Sequence, residues 1–176
     1  MIIFNHQIRD VPASVLDPKT YMSRPQGPAR RVHIDQTPKG AEQLIGMLLP
    51  PEAAREVISA TRWIVINAWR PIKTIRRDPL AVMDATSVPD SDLVPLKRIM
   101  PNGKEAENYL VKAGDSGGHK WYYLHKQRPD EVLAFKIFDS DASCRARRTP
   151  HSSFVYPGTE KMPTRESIEV RAVVYY

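Results

Sequence analysis

A mainly β chain with flanking helices, closed into a double-stranded β-helix (a jelly roll, cupin-like), is the fold this sequence predicts. Three observations predict it. β-Branched and aromatic runs of strand length recur from residue 60 to the end, separated by turns and polar loops. Helical spacing is confined to the stretch just before them, with no alternation of strand and helix afterwards. Sixteen prolines against eight glycines punctuate the chain too often for long helices.

Residues 11–30 are rich in proline and polar groups and read as an irregular surface segment. Arg31 to Asp35 alternates, with Val32 and Ile34 on one face and Arg31, His33 and Asp35 on the other, which is a short strand. Thr37-Pro38 then supplies a cap and a first-turn proline for a helix over 39–49, spaced through Ala41, Leu44, Ile45 and Leu48. A second short helix follows Pro50-Pro51. Trp63 to Trp69 is a buried strand ended by Pro71. Further strands are expected at 80–83, 109–111, 121–124, 131–138 and 167–176, about six in all after the helices. In the last, Ile168 and Val170 are assigned to the core face and Glu169 and Arg171 to the other.

The chain of 176 residues, 41% hydrophobic and 26% charged, suits one domain over 1–176 with a proper core. No run approaches the ~20 apolar residues of a membrane span, and MIIFNHQIRD has no signal-peptide pattern. The single cysteine, Cys144, rules out an internal disulfide framework and a Cys-rich zinc site, and points to a reducing, cytoplasmic setting. The net charge of +6 is scattered, densest only at Arg145-Ala146-Arg147-Arg148, so nucleic acid is not the expected partner.

His33 and Asp35 are two apart on a strand, so both side chains leave the same face, about 6–7 Å apart. One imidazole and one carboxylate can share a metal, although this pair alone is a weak signal. His151 offers a third ligand, and Arg165-Glu166-Ser167 follows it at the start of the last strand. In a jelly roll these two stretches are expected on neighbouring strands, with the arginine in the histidine's cavity. Two histidines and a carboxylate cover one face of an octahedral Fe(II) and leave three positions open. A bidentate 2-oxoglutarate and dioxygen would fill them, while Arg165, with the Ser167 hydroxyl on the same strand face, receives the far carboxylate.

The sequence resembles the fungal gibberellin desaturase, cephem methoxylase and aspergillic acid hydroxylase/desaturase family. The matching stretches are VHIDQTPKGA (32–41), INAWRPI (66–72), DPLAVMDATSV (78–88), HKWYY (119–123), DEVLAFKIFDS (130–140), PHSSF (150–154) and TRESIEVRA (164–172). The resemblance implies a jelly roll and Fe(II)- and 2-oxoglutarate-dependent oxidation, with His33, Asp35 and His151 at the metal ligand positions and Arg165 with Ser167 at the oxoglutarate clamp. Family members usually carry a long stretch ahead of the segment matching FNHQIRD (4–10), absent here, and often a cysteine where Met83 stands.

Asn67 and Arg70 flank a strand end and are further candidates for the C1 carboxylate or the substrate. The plainer alternative has Asn67 serving backbone groups and Arg70 pairing an acid such as Asp84. Trp121 and Tyr123 share a face and read as core or pocket wall, and His119 and His125 as surface. The expected function is a hydroxylase or desaturase of secondary metabolism that takes a small-molecule substrate and dioxygen. A homodimer is the candidate assembly. The rival is a non-catalytic accessory subunit that keeps the fold, and intact ligands argue against it. A cupin-type zinc or manganese enzyme without oxoglutarate would leave Arg165 without a task.

Overall fold

The computed structural model describes residues 1–10, 27–100, 102–114 and 118–176. Ten strands and two helices occur among them: β1 (Ile2–Arg9), β2 (His33–Ile34), α1 (Pro38–Leu48), α2 (Pro51–Ser59), β3 (Trp63–Pro71), β4 (Leu80–Met83), β5 (Leu93–Ile99), β6 (Glu105–Val111), β7 (Trp121–Tyr123), β8 (Leu133–Asp139), β9 (His151–Ser153) and β10 (Ser167–Tyr175). They form a four-stranded sheet, β1-β10-β3-β8, and a six-stranded sheet, β5-β6-β2-β9-β4-β7. Every pairing is antiparallel. This is the jelly roll that the sequence predicts. Most of the expected irregular stretch 11–30 lies outside the described residues, and 27–30 has no regular structure.

The core is built on β3, where a period of two buries Trp63, Val65, Asn67 and Trp69. Phe135 and Ile137 of β8, Val173 of β10 and the apolar stripe of the helix pair (Ala41, Ile45, Ala54, Val57) complete it. Helix α1 begins as expected: the Thr37 hydroxyl accepts from the Gly40 amide, and Pro38 occupies the first turn.

Three expectations are corrected. Trp121 and Tyr123 are neither core nor pocket wall. β7 is an edge strand, and both rings are exposed, Tyr123 lying against Phe154 and Tyr156 on the outside. His119 is not at the surface: it is half-buried with Nε2 2.9 Å from Asp92. On β10 the buried residues are Ser167, Glu169 and Val173, while Ile168 and Val170 are only half-buried. The inward face is therefore the polar one.

The end of β8 is fastened by a buried carboxylate. Asp139 accepts from Arg62 Nε and Nη2 at 3.0 and 2.7 Å, from Lys136 Nζ at 2.6 Å and from the Asp141 amide at 3.1 Å. Burial works to raise its pKa, but hydrogen bonds from Arg62 and Lys136 prevail and hold it well below the usual carboxylate range. A depressed folded-state pKa adds stability that is complete above the unfolded value, about 4, and is lost as pH falls below it. Asp139→Asn is accordingly expected to cost about 2–3 kcal/mol at pH 7. Urea melts at pH 7 and pH 3 check this, because the gap between wild type and variant narrows at the lower pH.

Candidate metal centre

β2 is only two residues long, and it is pinned on both sides. His33 pairs with Leu110 of β6 and with His151 of β9. Directly opposed residues share a sheet face, so the two imidazoles point together into the barrel, with ring centroids 4.4 Å apart. Asp35 follows at the strand end, buried. Its Oδ1 lies 3.3 Å from His33 Nε2 and 4.0 Å from His151 Nε2. One ligand atom from each residue falls within 4.8 Å of the others.

The outer ring nitrogens are occupied. His33 Nδ1 lies 2.8 Å from the Arg31 carbonyl and His151 Nδ1 lies 3.1 Å from the Thr149 carbonyl. A carbonyl can only accept, so Nδ1 carries a hydrogen in both rings, which leaves Nε2, facing Asp35, as the nitrogen that gives a lone pair to a metal once any proton on it has left. Burial, then the His33 charge, push His151 down to about 3, so it is neutral. Burial opposes the charge on Asp35 as well, but Arg171, His33 and His151 outweigh it and hold the carboxyl well below its usual value. For His33, burial is likewise outweighed by Asp35 and the Arg31 carbonyl, and its pKa is raised. Two imidazoles and one ionised carboxylate converging in this way fit a divalent ion.

A small cleft opens at this cluster, and Arg165, Trp69 and Phe135 help to line it. Arg165 is buried, with its guanidinium carbon 5.1 Å above the Trp69 ring and Nη1 donating to the Asp78 carbonyl at 2.9 Å. Burial lowers its pKa to about 9. Asp78 holds a positive φ of 59° while buried and pairs Arg30 at 2.5 Å and Arg77 at 3.3 Å. Several polar atoms here are buried without a hydrogen-bond partner: Arg165 Nε, Ser167 Oγ, and both Oδ1 and Nδ2 of Asn67. Asn67 sits in register between Arg171 and Phe135. Such orphaned groups are costly unless something polar joins them.

The structure thus brings together His33, Asp35 and His151, with Arg165 in the same cavity and Asn67 and Ser167 facing inward nearby. It does not bring Arg70. That side chain is exposed and donates to the Pro129 carbonyl at 2.9 Å, not to Asp84, because it stands three positions from Asn67 on a strand of period two. The neighbouring-strand expectation is also corrected. β9 and β10 belong to different sheets, so His151 and Arg165 meet across the barrel. Sequence reasoning overlooked Arg171, whose Nη2 lies 3.1 Å from Asp35 Oδ2, and Glu169, Arg9 and Asp78. The signal for the first two was their parity with Ser167.

A jelly roll with a buried His-Asp-His cluster and an inward arginine is an architecture shared with mononuclear-metal oxygenases. Comparisons with known proteins agree. The family described as the oxidoreductase/YMDC permease-like domain matches residues 1–175. An α-ketoglutarate-dependent dioxygenase phiK from a fungal species is 44% identical over all of this chain and 63% of its own length. The hydroxylase/desaturase efuI of Hormonema carpetanum is 45% identical over 96% of this chain and 59% of its own. The gibberellin cluster GA4 desaturase of Gibberella fujikuroi is 35% identical over 86% of this chain and 51% of its own. Among solved structures, the iron and α-ketoglutarate-dependent endoperoxidase NvfI superposes with a TM-score of 0.81 at 30% identity, over 99% of this chain and 61% of that one. The chain belongs to this family of fungal iron- and 2-oxoglutarate-dependent dioxygenases, hydroxylases and desaturases, and spans about 60% of the length of the first two of these relatives.

One packing detail sets where Asp35 stands. Thr37 follows two residues later, buried, with its hydroxyl donating to Glu107 Oε1 at 2.7 Å and its amide to the Glu107 carbonyl. Gly40 lies so close to that strand that a Cβ would fall 1.9 Å from the Glu107 carbonyl oxygen. Backbone cannot yield cheaply there. Gly40→Ala is expected to lower stability by about 2–4 kcal/mol in chemical denaturation, whereas Gly46→Ala, exposed in the same helix with open space around it, is expected to raise it by about 0.4–1 kcal/mol.

Proposed function

We propose that this chain is an Fe(II)- and 2-oxoglutarate-dependent oxidoreductase, a hydroxylase or desaturase acting on a small molecule of secondary metabolism. The observation that carries the reading is the convergence of His33 Nε2, His151 Nε2 and Asp35 Oδ1 with both Nδ1 atoms tied to carbonyls. Bound iron and oxoglutarate would supply an oxidant that takes hydrogen from an unactivated C–H bond, with dioxygen consumed and the keto acid converted to succinate and carbon dioxide. The protein's residues bind and orient. His33, Asp35 and His151 would hold the metal. The Arg165 guanidinium, stacked on Trp69 and anchored to Asp78, would pair the far carboxylate of oxoglutarate, with Ser167 donating beside it. Asn67, its amide unpartnered, is suited to a further polar contact with cosubstrate or substrate.

Residues 1–176 are taken as one oxygenase-like domain. No helix among the described residues is long and apolar enough to cross a membrane. A single cysteine and a site suited to ferrous iron favour a cytoplasmic setting. A homodimer is proposed as the assembly without an interface being assigned.

Anaerobic titration with Fe(II) and then 2-oxoglutarate, followed by visible absorbance, tests the reading. A weak metal-to-keto-acid charge-transfer band is expected, absent in His33→Ala and in His151→Ala. In Arg165→Met, oxoglutarate affinity falls about 10–100-fold while iron still binds; Arg70→Ala behaves as wild type. Iron bound without the band would refute oxoglutarate dependence.

A further inference from the structure

The two oxygens of the Asp35 carboxylate face different surroundings. Oδ1 is turned to the histidine Nε2 atoms, at 3.3 and 4.0 Å. Oδ2 is turned to Arg171 Nη2 at 3.1 Å, which reaches across from β10 in the opposite sheet. Arg171 is itself held. The same Nη2 donates to Glu169 Oε1 at 2.8 Å, and that oxygen lies 3.7 Å from Arg9 Nη2 on β1. Asp35, Arg171, Glu169 and Arg9 thus form a chain of alternating charge across the interior, and each side chain in it is at most 17% exposed.

Burying four charges is costly, and such a set is often replaceable by apolar residues without loss of stability. Its presence beside a ligand therefore calls for a role. Resting on the metal reading above, we propose that Arg171 is a positioning residue that makes Asp35 a one-oxygen ligand, holding Oδ2 away from the metal. A carboxylate is able to bind through both oxygens. With one, the three protein ligands leave three octahedral positions, enough for a bidentate keto acid and dioxygen. With two, only two remain, and the keto acid and dioxygen compete. The guanidinium competes for Oδ2 by charge, and β10, paired on both edges by β1 and β3, keeps it in place. Glu169 accepts from the same Nη2 and stops it turning elsewhere. Lysine would supply a point charge on a flexible stem, without the planar guanidinium that sets Nη2 between Asp35 and Glu169.

The consequence has two signs that a merely structural role would not give. Removing Arg171 takes a cation from beside the metal site and frees a second oxygen, so metal binds at least as tightly. The keto acid then binds more weakly. The test uses Co(II) as a spectroscopic probe on wild type, Arg171→Met, Arg171→Lys and Glu169→Gln. For Arg171→Met the expected results are a Co(II) affinity equal to wild type or several-fold tighter, an altered d–d spectrum before any keto acid is added, and 2-oxoglutarate binding to the Co(II) protein weakened about tenfold or more. Arg171→Lys falls between. Glu169→Gln, which keeps Arg171 but loosens it, moves the same way by less, and carries the test should Arg171→Met fail to fold. Weaker Co(II) binding together with lost keto-acid binding would overturn the proposal and make the arginine a scaffold residue. An unchanged spectrum with unchanged 2-oxoglutarate affinity would overturn it too. A wild-type protein that binds no Co(II) is a separate failure, of the metal reading itself, and takes this inference with it.

Discussion

The site hangs on one cross-strand register, His33 of β2 opposite His151 of β9. Strand faces alternate, so a slip of one residue would turn Ile34 into the barrel and His33 out of it. A strand of two residues cannot hold such a register by itself. It is held from three directions: β9 on one edge, β6 on the other, and the start of α1 just beyond. The last is tied by Thr37 to Glu107 on β6, the strand that pairs with β2. Asp35 therefore stands in a short link between two fixed points, and its carboxylate has little freedom to leave the histidines.

Around that register the interior is charged where most barrels are apolar. Asp35, Arg171 and Glu169 occupy one side, and Arg165 with Asp78 and Arg30 the other. All but Arg165 meet an opposite charge, which is the condition for tolerating charge in a low-dielectric space, and Arg165 is held by the Asp78 carbonyl and the Trp69 ring. Trp69 and Phe135 fill the space between them and lie against Arg165 and His151. Stability at this end comes instead from the apolar half of the barrel, where Trp63, Val65, Ile137 and Val173 meet the helices. The division places a costly, functional interior on a scaffold whose stability is made elsewhere.

Much of this was legible in the chain, and the exceptions have physical causes. The regular periods at 63–71 and 39–49 marked β3 and α1, and the cap at Thr37 was readable from Thr-Pro alone. β1 went unread because a register irregularity between Ile3 and Asn5 breaks its alternation. β5 was hidden by Pro95, which is tolerated because the strand lies at a sheet edge. The face of β10 was misassigned because apolar residues were expected inside, and the inside here is polar. Arg70 stands three positions from Asn67 on one strand, so the period of two by itself puts it on the other face.

The sequence by itself determined the residue types of the cluster, the shared face of His33 and Asp35, the arginine just ahead of the last strand and the membership of a jelly-roll family. These follow from local periodicity and residue chemistry, which need no knowledge of what lies across the barrel. Only the tertiary structure decided that His151 sits opposite His33, that Arg165 approaches from the other sheet, and that Arg171 takes the second oxygen of Asp35. The first and last of those contacts join residues more than a hundred positions apart. Their geometry is set by how two sheets close on each other, which no local pattern records.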